Sequence, residues 1–144
     1  MPRLMSVAMT ADAVIARHKT VTRRKGWTFL KPGDRLTLCR KVRGRKPGEP
    51  LARLAEVEVV TAWREPLRTL TDFNTWSSDY FKTPERQPRR PLWVEWVAGE
   101  VAREGFPGMD PAEFVRRFFI DAQGMSPDDD VTRIEWRYLN DGGA

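Results

Sequence analysis

The sequence predicts an α+β fold, and three stretches carry that prediction. Ala55, Val57 and Val59 alternate with Glu56 and Glu58, the period of a strand with one buried face. Met109-Asp110-Pro111-Ala112-Glu113 has the composition of a helix start, with Asp110 as the cap, Pro111 in the first turn and Glu113 placed to reach back in a capping box. Ile134, Trp136 and Tyr138 then alternate with Arg133, Glu135 and Arg137, a second run of period two. A chain of 144 residues fits one domain, and 40% hydrophobic residues with six Trp and seven Phe give it core material, so 1–144 is read as a single unit.

In chain order, residues 4–9 read as a short first strand, and Thr10 offers its hydroxyl as the cap of a helix over 11–16. Lys19 stands just beyond the far end of that helix. Pro32-Gly33 fit the central positions of a type II turn, and 35–40 is expected to be a half-buried strand, with Leu36 and Leu38 on one face and Cys39 on the other. Residues 41–50 gather Lys and Arg in a Gly/Pro-rich loop, either a phosphate-contacting arm or a solvated tip. The strand from Ala55 is expected to reach Trp63. Residues 72–81 are aromatic-rich without a clean period and receive no assignment, and 82–91 are Pro-rich and basic, the composition of an extended loop. Trp76, Tyr80 and Phe81 in this region either cover one end of the fold or stack on a nucleic-acid strand. Trp93, Trp96, Val97 and Val101 at three-four spacing predict a helix over 92–103, stopped at Gly105. The helix from Asp110 is expected to run over 110–122, burying Phe114, Phe118 and Ile120, and the last strand covers 131–139.

Composition narrows the chemistry. Net charge is +5, from 25 Lys and Arg against 20 Asp and Glu, and the excess lies largely between Arg17 and Arg53, favouring an anionic partner such as a nucleotide or RNA. The single Cys39 excludes an intramolecular disulfide and a Cys-cluster metal site, and with His18 the only histidine no metal or cofactor is expected. Asp128-Asp129-Asp130 sits in a solvated turn, where consecutive carboxylates do not converge on one ion. The amino terminus lacks the apolar region of a signal peptide and no apolar run reaches membrane-spanning length, so the expected location is the cytoplasm.

The stretch Arg17-His18-Lys19-Thr20-Val21-Thr22-Arg23-Arg24 concentrates an amine, two hydroxyls and two guanidiniums. Such a set binds anions, or supplies a nucleophile once desolvation lowers the amine's pKa, or is an exposed face and nothing more. Lys19 and Thr22 are three residues apart, so they converge only where the segment departs from a regular strand.

Lys19-Thr20-x-Thr22-x-Arg24 resembles the signature of the ASCH family, small PUA-like β-barrels. The order of the remaining pieces is similar too: a helix before the motif, Pro32-Gly33-Asp34 after it, Glu104-Gly105-Phe106, an acidic-capped helix and a final strand. The resemblance implies a barrel of about five to six mostly antiparallel strands with two or three flanking helices, interrupted here by an insertion around 72–97. In the family a Gly commonly sits two positions before the motif Lys, where a helix can end at positive φ; this chain has Arg17 there, a departure from the family pattern.

Some bacterial members are amidohydrolases that remove the acyl group from N4-acetylcytidine and related nucleosides. The resemblance therefore implies Thr22 as nucleophile, Lys19 as its base and Glu104 as the group orienting Lys19 or the substrate amide, with Thr20, Arg23 and Arg24 on a small modified nucleoside. Glu104 read without the resemblance is equally a salt-bridge partner at a helix end. A second reading from the same family is a module binding RNA or single-stranded nucleic acid, or a nuclease, in which Lys19, Arg23 and Arg24 contact phosphates.

Overall fold

The computed structural model describes residues 2–80 and 89–139. It is an α+β fold, as the sequence predicts, built on a five-stranded curled sheet. The strands are β1 (Arg3–Ser6), β2 (Val21–Arg24), β3 (Arg35–Cys39), β4 (Arg53–Pro66) and β5 (Asp130–Tyr138), in the spatial order β1-β3-β4-β5-β2. β1 runs parallel to β3 and the other neighbours are antiparallel, so the sheet is mixed. Its two edges are β1 and β2. Curling brings them close enough for the Arg24 guanidinium on β2 to donate to the Ser6 carbonyl on β1 at 2.8 Å.

β4 is the longest strand and bridges two halves of the molecule. It outruns the expected end at Trp63, pairs with β5 as far as Pro66, and carries a bulge between Val59 and Thr61 that turns the second half away from the first. Val57 and Val59, before the bulge, join Met5, Leu36, Leu38, Ile134 and Trp136 in the core enclosed by the sheet. Beyond it, Leu67, Leu70 and Val131 meet Val97, Val101, Phe114 and Phe119 in a second core between sheet end and helices. β5 supplies Val131 to one and Ile134 to the other. Each such side chain contributes roughly 1.5–3 kcal/mol on full burial.

β3 departs from expectation. Thr37 and Cys39 are as buried as Leu36 and Leu38, so the strand is covered on both faces. Period two in a short run marks which side chains share a face and leaves open whether the second face is covered. The Pro32-Gly33 turn forms as expected, with Gly33 at φ +95° and the Asp34 N–H donating to the Lys31 carbonyl at 3.1 Å.

The helices are α1 (Ala11–Ile15), α2 (Phe73–Tyr80), α3 (Arg90–Arg103) and α4 (Pro111–Val115), the last continuing as a π-helical turn over Arg116–Asp121. α2 occupies most of the stretch that the sequence left unassigned. Its Phe73 and Trp76 meet Trp93 and Trp96 of α3, with ring centroids 6.1 and 6.0 Å apart, and Trp76 is buried. Phe73, Trp93 and Trp96 are half-buried around Trp76. Phe81 and most of the expected loop over 82–91 lie outside the described residues, although α3 begins within that span, at Arg90.

Two expected caps changed. Thr10 makes no side-chain cap, because it ends a 3-10 turn (Ala8–Thr10) that runs directly into α1 and leaves its hydroxyl beside the Val7 carbonyl. Asp110 does cap α4, accepting from the Glu113 N–H at 3.1 Å, but the Glu113 carboxylate pairs with Arg116 at 2.6 Å instead of reaching back. An ion pair along the helix face outcompetes the second half of the box. The helix predicted over 110–122 is α-helical only to Val115, and the wider π turn buries Phe119 while Ile120 stays half-buried.

Candidate functional site

Two helix ends build the site. α1 closes with Arg17 at φ +64°; the Arg17 N–H donates to the Val14 carbonyl at 3.0 Å and the His18 N–H to the Ala13 carbonyl at 2.8 Å. This is a Schellman closure in which arginine takes the position usually held by glycine. Left-handed backbone costs a non-glycine residue about 1–2 kcal/mol. Part of that is offset by the Arg17 side chain, which caps the Val14 carbonyl at 3.0 Å and lies 4.9 Å from the Tyr138 ring centre.

α3 closes in the same way. Gly105 is at φ +109°, its N–H donates to the Ala102 carbonyl at 3.0 Å, and the Phe106 N–H donates to the Val101 carbonyl at 3.1 Å. A Cβ on Gly105 would sit 3.0 Å from Thr10 Cγ2 and 3.3 Å from Ala13 Cβ, so the end of α3 is pressed against the start of α1. The Thr20 N–H donates to the Arg103 carbonyl at 2.9 Å, tying the two termini together. Lys19, two residues past one closure, therefore faces Glu104, the last residue before the other.

Lys19 precedes β2 rather than lying within it, which resolves its spacing from Thr22. Its carbonyl accepts from the Trp136 indole at 3.0 Å and from the Tyr138 hydroxyl, so β5 fixes its backbone. Its ammonium is buried and donates to the Glu104 carbonyl at 2.5 Å and to Glu104 Oε1 at 3.4 Å. The other carboxylate oxygen, Oε2, accepts from Arg23 at 3.1 Å.

Arg23 is fully enclosed. It also donates to Glu100 Oε1 at 2.5 Å and pairs with Glu65 at 3.6 Å, while Arg133 of β5 grips the Glu100 carboxylate at 2.6 and 3.0 Å. Thr22, on the opposite face of β2 from Arg23, accepts from Arg24 Nε at 3.2 Å. Three guanidiniums, of Arg23, Arg24 and Arg133, thus stand against the carboxylates of Glu65, Glu100 and Glu104. The cluster is electroneutral when Lys19 is uncharged.

Electrostatics follow that balance. Burial, reinforced by the Arg24 charge, draws the Lys19 ammonium down from 10.5 to about 8 against the pull of Glu104. Burial disfavours the Arg23 charge as well, but Glu65, Glu104 and Glu100 outweigh it and hold Arg23 above its ordinary value. Burial lowers Arg24, with Glu104 opposing. Glu100 resists burial and lies below the ordinary carboxylate range because Arg133 and Arg23 bond to it.

Lys19, Thr22, Arg23, Arg24 and Glu104 meet at a cleft of about 260 Å³ between the β1–α1 connection and the α4/π segment. Its far wall is aromatic: Phe106, Phe114, Phe118 and Phe119, with Phe106 and Phe118 stacked at 4.6 Å. Of the expected site residues, Thr20 is the one outside this cleft; its hydroxyl accepts from Arg103 at 3.2 Å. Arg23 reaches the cleft with its surface committed to three carboxylates. A wider groove of about 620 Å³ beside Asp12 and His18 has no buried residue in its lining. Among the described residues, no three His, Cys, Asp or Glu side chains group as metal ligands.

Sequence reasoning missed Glu100, Glu65 and Arg133. Glu100 carried a signal, since it stands four residues before Glu104 and so shares its helix face. Arg133 carried none, because its alternation with Ile134 reads as a solvent-facing position. Lys19 and Thr22 line one cleft, with Glu104 bonded to the Lys19 ammonium and Arg24 to the Thr22 hydroxyl.

Neither a scan against protein-family models nor a search of curated proteins gives a match to this chain. Among solved structures, the crystal structure of a DUF984 protein from Enterococcus faecalis V583 is similar, with a TM-score of 0.54 and 11% identity over 96% of this chain and 80% of that one. The likeness concerns the fold.

Proposed function

We propose that the chain is an amidohydrolase of ASCH type that removes the acyl group from N4-acylated cytidine-type nucleosides. The observation that carries this reading is a buried lysine, brought to about 8, in the same cleft as the Thr22 hydroxyl. At pH 7 roughly a tenth of Lys19 is then neutral, enough to serve as a base.

Thr22 Oγ attacks the amide carbonyl while its proton passes to Lys19 Nζ. Arg24, bonded to Thr22 Oγ1 at 3.2 Å, stands beside the oxygen that becomes negative. Collapse breaks the C–N bond, and the Lys19 ammonium returns the proton to the departing exocyclic amine. Water, deprotonated by the Lys19 amine, then adds to the acyl carbon; the bond to Thr22 Oγ breaks, Lys19 returns the proton to that oxygen, and the carboxylic acid leaves. Glu104 orients the Lys19 ammonium, and Phe106 and Phe118 offer a flat apolar surface to the substrate.

The test is release of acetate and cytidine from N4-acetylcytidine by the purified protein beside Thr22→Ala. Turnover in the wild type that falls at least 100-fold in the variant supports the reading. Equal turnover in both, or none in either, rejects it. In the latter case an RNA titration in which affinity falls steeply with salt would favour the nucleic-acid-binding alternative.

A further inference from the structure

The buried ion network behind the cleft extends beyond what the proposed reaction needs. Glu104 has two carboxylate oxygens, and they go to different partners: Oε1 faces Lys19 at 3.4 Å while Oε2 accepts from Arg23 at 3.1 Å. Arg23 is held in place from behind by Glu100 at 2.5 Å and by Glu65 at 3.6 Å, and Glu100 is itself anchored by Arg133 at 2.6 Å. Trp96 lies over the guanidinium at 6.0 Å.

We infer that Arg23 is a positioning residue which, by claiming one oxygen of Glu104, keeps that carboxylate from pairing fully with Lys19 and so holds the lysine ready to act as a base. The inference rests on the hydrolytic reading for its purpose, but its physical content concerns Lys19 alone. It reassigns Arg23 from substrate contact to control of the base, which suits a side chain with no exposed surface.

The charged groups facing Lys19 are Glu104 from α3 and Arg23 and Arg24 from β2, and Tyr138 from β5 bonds to its carbonyl. Arg23 acts on Lys19 in two ways of the same sign. Its positive charge repels the ammonium, and its bond to Oε2 draws off the negative charge that would stabilise it. Glu100 acts in the opposite sense, drawing Arg23 away from Glu104. Removal of Arg23 therefore favours the protonated lysine, and removal of the Glu100 charge favours the neutral amine.

The experiment is a pH titration of the Lys19 Cε resonance in protein labelled with 13C-lysine, the resonance being assigned by its loss in Lys19→Met. It needs no substrate. Arg23→Gln is expected to move the midpoint up by at least one pH unit, and Glu100→Gln to move it down. The acid limb of log kcat/KM on N4-acetylcytidine should move with each. A residue that merely props the fold would lower the stability of both variants without opposite shifts in the midpoint. Arg23→Lys keeps the charge and should restore much of the wild-type midpoint; if Arg23→Gln does not fold, Glu100→Gln alone decides, a midpoint that fails to fall overturning the inference.

A midpoint within 0.3 unit of the wild type in folded Arg23→Gln or Glu100→Gln, or shifts of the same sign in the two, overturns the inference. Shifted midpoints without turnover would instead sustain the inference and reject the hydrolytic reading.

Discussion

Lys19 is where stability and the proposed function pull in opposite directions. Its amine sits at about 8 in the fold and near 10.5 in the unfolded chain, so burial disfavours the charged form. Below pH 8 both states are protonated and the full cost is present. Between about 8 and 10.5 the unfolded chain binds the extra proton, so the Lys19 contribution makes the fold more stable as pH rises. Replacement by methionine should remove this slope: the wild type gains about 1–3 kcal/mol from Lys19 between pH 7.5 and 9.5, and Lys19→Met lacks that gain. Urea midpoints at the two pH values check it, and parallel curves for the two proteins would refute it. Arg17 shows the same economy in miniature, since its left-handed backbone is offset by contacts to Val14 and Tyr138.

At the scale of elements, the site depends on how two helices stop. Gly105 combines a φ of +109° with contact distances that leave no room for a methyl group beside Thr10 and Ala13. Gly105→Ala should cost about 2 kcal/mol or more in a denaturant titration and, because Glu104 is its neighbour, lower turnover at least tenfold. Arg17→Gly, at the equivalent position of α1, removes backbone strain and two side-chain contacts together, so stability should change by less than about 1 kcal/mol. An Arg17→Gly variant losing much more would show that the side chain, not the turn, holds this end. α2 follows different logic. Trp76 is buried against Trp96, and Trp76→Ala should cost roughly 3–5 kcal/mol by thermal or urea unfolding without altering the reaction's pH dependence.

Across the whole molecule, β5, paired with β4 along its length, contributes to both cores, so the two are expected to open together. β5 places Val131 in one core and Ile134 and Trp136 in the other, so neither core melts without breaking the same strand pair. Cys39 offers a probe of this: it is fully buried in β3 and should react with a thiol reagent only on global opening. Its opening free energy should equal the one from far-UV circular dichroism. Faster labelling would reveal separate opening of the β1/β3 edge. The sequence by itself determined much of this protein. The α+β class, the period-two strands, the Pro32-Gly33 turn and the Asp110 cap were all written in local pattern, because turns, caps and alternation depend on neighbours within a few residues, whereas the grouping of Lys19 and Thr22 with Glu104 was expected only from the family resemblance. The tertiary structure alone decided which faces were covered. Cys39 and Arg133 lie on faces that read as outward and are buried, as is Thr37, and Glu65 of β4 converges with Glu100 and Glu104 of α3 on Arg23 of β2. Burial of a charge depends on partners distant in the chain, and that same burial brings Lys19 to about 8.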